Sequence, residues 1–180
     1  MRNLTIFSFG VLLTLGVSAG ADRDPNWPDG YELVCELAPA DSEARSEDGD
    51  VGMLWASGSP ATLRTEKGDA YKVRSDPEEV VIELTGLTRE QDHVIGFEWW
   101  DADGCGRRQA VQCGYLKGPI RTSLLPPTAP VSFHGDEPTY ARILLPLHGW
   151  EYVVQFKNEG GPDAVVGKVW LLERVAPAKE

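Results

Sequence analysis

Long apolar runs at helical period are missing from this 180-residue chain, because thirteen prolines and nineteen glycines interrupt it too often. That absence argues against helical bundles and mixed α/β layers. The longest apolar stretch, Leu4 to Val17, is shorter than the roughly 20 residues that a membrane-crossing helix needs. Basic residues are outnumbered, with 17 Lys and Arg against 28 Asp and Glu and a net charge of −11. Such a chain repels phosphate, so nucleic acid and anionic membrane surfaces are poor partners, whereas neutral glycans or proteins suit it. Cysteine is scarce too: Cys35, Cys105 and Cys113 form no CxxC, so neither a zinc site nor a thioredoxin-like pair is signalled. The three histidines, His93, His134 and His148, have no second histidine or cysteine at i+2 or i+4. The GxSxG match "GVSAG" at residues 16–20 lies in the amino-terminal apolar segment and no such elbow follows it, and nothing among the 28 acids selects one pair as a glycosidase dyad. An enzyme, if this is one, carries no signature of it in the sequence.

What is present begins with "MRNLTIFSFGVLLTLGVSAGAD", where Arg2, an apolar stretch and small residues read as a signal peptide. Cleavage fits after Ala19 or after Ala21; the second leaves residues 22–180 as a single domain of ordinary size, secreted or periplasmic, with no membrane insertion once the signal is removed. Its segments alternate at period two. Strands are predicted over Tyr31–Ala38, Val51–Ala56, Ala70–Arg74, Val80–Leu84, Val94–Trp100, Arg107–Cys113, Arg121–Leu125, Tyr140–Leu145, Glu151–Phe156 and Val165–Leu172. About ten short strands joined by turns predict an all-β fold, an antiparallel sandwich or barrel. Tyr31, Leu33, Cys35 and Leu37 share one face, and Trp150, Tyr152, Val154 and Phe156 another. The last run, "AVVGKVWLL", is apolar on both faces, as a covered central strand would be. The acidic segment Ala38 to Asp50 lacks periodicity and reads as a solvated loop.

The stretch "GFEWWDADGCGRRQAV" carries the candidate site. Asp and Gly at 101–106 suit a tight turn, so Val94–Trp100 and Arg107–Cys113 are expected to form a hairpin. Alternation then places Trp99 in the core with Ile95 and Phe97, and Trp100 outside with Glu98. An exposed indole beside Asp101 and Asp103 suits a sugar, whose apolar face stacks on the ring while its hydroxyls donate to the acids. The expected ligand-binding set is Glu98, Trp100, Asp101, Asp103 and Arg107. Trp100 packing under a neighbouring loop is the plainer alternative. The turn begins like an EF-hand loop but departs at Cys105, Arg108 and Gln112; calcium in another geometry stays open as a cofactor. Cys105, at the turn, is too far along an extended strand from Cys113 to bridge it. Cys35 and Cys113 both fall on apolar faces and are expected as a disulfide, or else as two buried thiols.

Together, "HVIGFEWWDADGCGRRQAV" and "ILLPLHGWEYVVQFKNEGGPDAVVGKVWLLE" resemble the galactose-binding-domain-like jelly rolls, including malectin-like modules, over roughly Val80 to Glu173. The resemblance implies a jelly-roll β-sandwich that often binds carbohydrate. The chain departs from the pattern in having Asp163 where Asn is usual. Three readings follow: a non-catalytic module that binds a glycan or cell-surface polysaccharide, a polysaccharide-acting hydrolase, or a structural or protein-binding surface module.

Overall fold

In the computed structural model, residues 28–99, 101, 103–116, 131–132, 139–145 and 151–175 are described. They form no helix and thirteen strands: β1 (Tyr31–Leu37), β2 (Glu43–Arg45), β3 (Gly52–Trp55), β4 (Ser59–Arg64), β5 (Ala70–Asp76), β6 (Glu79–Thr85), β7 (His93–Trp99), β8 (Arg108–Tyr115), β9 (Val131–Ser132), β10 (Thr139–Leu145), β11 (Tyr152–Gly160), β12 (Ala164–Val166) and β13 (Val169–Arg174). Every ladder is antiparallel. The predicted signal segment, the strand expected at Arg121–Leu125, and Trp100, His134, His148 and Trp150 lie outside the described residues.

A four-stranded sheet runs β1-β13-β7-β10, a six-stranded sheet runs β2-β3-β6-β11-β8-β9, and a three-stranded sheet runs β12-β5-β4. Their pairing is nested. β8 pairs with β9, β7 with β10, β6 with β11 and β5 with β12, so each pair encloses the previous one along the chain. A long antiparallel ribbon rolled up in this way is a jelly roll, in which successive strands of the ribbon change sheet. The expected sandwich is therefore present.

Its core lies between the two larger sheets. Leu37, Ile95, Phe97, Trp99 and Leu171 from one sheet meet Ile82, Val111, Val154 and Phe156 from the other. Phe97 sits edge-on to Phe156 at 4.8 Å and to Trp99 at 5.7 Å, the orientation that aromatic quadrupoles favour. Ile95, Phe97 and Trp99 thus occupy the predicted inward face. The opposite face of β7 is also covered, with Val94 packed against Trp170 and Leu172.

Four expectations need correction. The hairpin across 100–107 is an arch: β7 pairs with β10 and β13, whereas β8 pairs with β9 and β11 in the other sheet. Period-two alternation marks the inward face of a strand but is blind to which sheet its neighbour joins. The final run is bent into β12 and β13 by the irregular pair Gly167 and Lys168, its first part pairing with β5 and its second with β1 and β7. In β1, a bulge between Leu33 and Cys35 shifts the register, so Cys35 and Leu37 point inward while Leu33 is 42% exposed. The acidic segment contains the short strand β2, which pairs with β3.

All three cysteines are free thiols. β1 runs beside β2 and β3, while β8 lies beyond β6 and β11 in the six-stranded sheet. Three strand spacings amount to about 14 Å, twice the roughly 7 Å over which Cα atoms of a disulfide can lie. Cys35 and Cys113 are instead separately buried, which pushes their thiols up to about 11 and about 12.

Candidate functional site

Crossing from one sheet to the other leaves the backbone of the arch without ladder partners, and Asp101 supplies them. Its Oδ2 accepts hydrogen bonds from the N–H groups of Gly106 at 2.6 Å and Arg107 at 3.3 Å, and its Oδ1 accepts one from Arg107 Nη1 at 2.8 Å. Asp103 accepts from both Nη atoms of the same guanidinium. Asp163, in the turn after β11, accepts from Arg107 Nε at 2.7 Å and takes the Ser75 hydroxyl on its other oxygen. Gly161, at a φ of 99°, lets that turn close down: a Cβ there would stand 2.9 Å from Arg107 Cα. The Arg107 side chain is 3% exposed and that of Asp101 fully buried.

These groups form a clasp that joins β7, β8, β5 and the turn before β12. Burial opposes the charge on Arg107, but the hydrogen bonds it donates to Asp103, Asp101 and Asp163 outweigh it and raise its pKa. Burial likewise works against the Asp103 carboxylate, and Arg107 more than reverses the effect, holding it below its ordinary range. The positive charge held among these carboxylates is a guanidinium. Asp163 adds a carboxylate to the balance that a buried arginine requires.

Of the predicted set, then, the structure brings Asp101, Asp103 and Arg107 together but turns Asp101 and Arg107 into the protein. Glu98 lies elsewhere, at the bend between β12 and β13. It is buried, accepts the Lys168 N–H at 2.9 Å, and has its pKa raised by burial despite that bond and the Lys168 charge. Trp100 is outside the described residues.

The sequence reading missed a second group of polar residues, on the outer face of the six-stranded sheet. Tyr152, Val154 and Phe156 of β11 belong to the core, so Val153, Gln155 and Lys157 face the other way. Register sets Gln155 directly across from Gln112 of β8, Val153 across from Gly114, and Lys157 across from Glu79 of β6. These six residues line a groove of about 310 Å³, at whose floor Val153 and Gln155 are buried while Gln112, Glu79 and Lys157 are half-buried. Gly114 has no side chain to fill the floor beside Val153. Neither the Gln112 nor the Gln155 carboxamide has a side-chain hydrogen-bond partner among the described residues. A carboxamide both donates and accepts, as a sugar hydroxyl does. Gln109 of the same strand shows the contrast: its buried amide donates to the Val165 carbonyl at 3.0 Å and accepts the Val165 N–H at 2.5 Å. No simple signal marks Gln112 and Gln155 in the sequence, because only the β8–β11 register makes them neighbours.

No protein-family model and no curated protein matches the chain. Among solved structures, it is similar to the native structure of a family 35 carbohydrate binding module from Clostridium thermocellum, at 10% identity and a TM-score of 0.45, over 67% of this chain and 90% of that one. It is also similar to the K1 cleaved adhesin domain of Lys-gingipain from Porphyromonas gingivalis, at 11% identity and a TM-score of 0.37, over 84% and 94% of the two chains. A third similar structure is the enzymatically active domain of tailspike protein 4 from bacteriophage CBA120, at 10% identity and a TM-score of 0.38, covering 79% of this chain but 19% of that one.

Proposed function

We propose that this protein is an exported, non-catalytic module that binds a neutral glycan or cell-surface polysaccharide across the groove of the six-stranded sheet. The observation that carries the reading is the opposed pair Gln112 and Gln155, two carboxamides across one ladder that line a groove, without a side-chain hydrogen-bond partner among the described residues although Gln155 is 7% exposed. Glu79 and Lys157 at the same groove add an acceptor and a donor. The jelly roll agrees with the resemblance to galactose-binding-domain-like modules, and the acidic net charge disfavours an anionic polymer. Glu79 and Glu83 share this face of β6 but stand four residues apart, about 13 Å, beyond the roughly 5 to 9.5 Å of a glycosidase pair. That spacing favours binding over hydrolysis.

The test is a glycan array read with the mature chain, alongside Gln155→Ala and Gln112→Ala. Retention of one neutral glycan class by the parent, lost in both variants, with no reducing sugar released, is the expected result. Retention unchanged in both variants would remove the groove from consideration, and release of reducing sugar would favour the hydrolase.

A further inference from the structure

A separate cleft of about 480 Å³ opens on the far side of β1, between that strand and the turn joining β2 to β3. Leu33 and Val175, 42% and 41% exposed, are the exposed large hydrophobic residues among those described, and both line it. Four acids surround them: Glu32, Glu47, Asp48 and Glu173. Arg174 is the cation of the cleft, and it is engaged by Asp92 at 3.1 Å. Glu173 is held by Gln91 at 3.1 Å, and behind it His93, 2% exposed, directs an Nε2 with no hydrogen-bond partner at its carboxylate from 3.6 Å. The backbone adds a further element. β1 is an edge strand of its sheet, and the bulge after Leu33 takes Val34 out of register with β13.

We infer that this cleft docks an extended, basic segment of a partner protein. An edge strand offers unpaired N–H and C=O groups to an added strand, whose alternate side chains then fall on one side. Apolar residues of such a segment cover Leu33 and Val175, and its lysines or arginines meet the four acids. A glycan would leave the apolar pair unmatched against charges it cannot balance, and a nucleic acid would be repelled. The occupant therefore differs in chemistry from that of the groove on the six-stranded sheet.

The probe is a fluorescent eight-residue peptide of alternating Val and Lys, titrated against the whole chain by anisotropy, with an alternating Val and Glu peptide as comparison. Binding of the first but not the second is expected, weakening as salt screens the charges. Glu32→Lys with Glu47→Lys should weaken it by at least about tenfold, because like charges then face each other. Glu66→Lys with Glu159→Lys changes the net charge equally, away from the cleft, and should leave affinity within about twofold. Absence of binding, equal binding of both peptides, or equal loss in the two double variants would overturn the inference. An unchanged far-ultraviolet circular dichroism spectrum and thermal melt of the Glu32→Lys, Glu47→Lys protein test that its fold is intact.

Discussion

The arch at 101–107 and the groove over β8 and β11 are built from similar polar chemistry, yet they stand in opposite conditions. In the arch, a guanidinium meets three carboxylates, and the two most buried groups, Arg107 and Asp101, spend their hydrogen bonds on the protein itself. In the groove, two neutral carboxamides face each other with no side-chain partner among the described residues. Ligand capacity follows from what a side chain has left over after folding. Charge density and aromatic neighbours in sequence direct attention to the arch, whereas the leftover donors and acceptors are on the sheet face.

The sharpest way to break this contrast is Arg107→Leu, which strands Asp101 as an unpaired buried carboxylate and should cost about 3–5 kcal/mol. For a domain of this size that lowers Tm by roughly 6 to 20 °C. A change of a degree or two in a thermal melt would mean that the clasp is not structural. Trp99→Ala removes an indole packed edge-on against Phe97 and should cost a comparable amount, about 3–5 kcal/mol, by urea denaturation. Asp163→Asn keeps the shape of the turn but weakens a charge-assisted bond to a neutral one, an expected loss of about 1 kcal/mol in the same measurement. Gln155→Ala belongs to the other region: with no side-chain hydrogen bond to lose among the described residues, it should cost less than about 1 kcal/mol of stability while glycan affinity falls about tenfold. Gln155→Ala costing as much as Asp163→Asn would place the groove in the scaffold.

The smallest expected effect is one of pH. Burial, the dominant influence, lowers the pKa of His93 in spite of Glu173. The unfolded chain therefore takes up a proton near the ordinary value of about 6.5 while the folded chain resists it, so stability contributed by neutral His93 falls as pH drops below that value. Glu98 works the other way, since burial raises its pKa and its ionisation costs stability as pH rises through the carboxylate range. The His93 contribution is isolated by difference: parent minus His93→Gln, in urea melts at pH 7 and pH 5.5, should narrow at the lower pH. A constant difference would show that His93 is as easily protonated folded as unfolded.

Alternation made the inward triad of β7 legible, and an unbroken apolar run did the same for the central place of β13, because both patterns depend on each strand alone. It made the partner of β7 illegible, because a strand looks the same whether the next one pairs with it or crosses to the opposite sheet. The bulge in β1 defeats the same rule from within, by inserting one residue that no hydrophobic pattern announces. Asp163 was visible as a departure from a pattern, but its partner lies 56 residues back at Arg107. Gln112 and Gln155 carry no local signature at all, and glutamine at an outward-facing strand position is ordinary.

One ladder also has a consequence in time. β1 pairs with β13, so Tyr31 finds Arg174 as its partner only at the far end of the described chain. A polypeptide that emerges amino end first therefore carries β1 unpaired while roughly 140 more residues follow. At about 5–20 residues per second, that wait lasts on the order of ten to thirty seconds, far longer than a hairpin takes to form. During it the strand is a template for whatever edge is nearby, and Glu32 and Glu36, flanking its apolar residues, are the charges that keep such encounters brief. Vectorial synthesis thus makes the carboxyl-terminal strand the step that closes the roll.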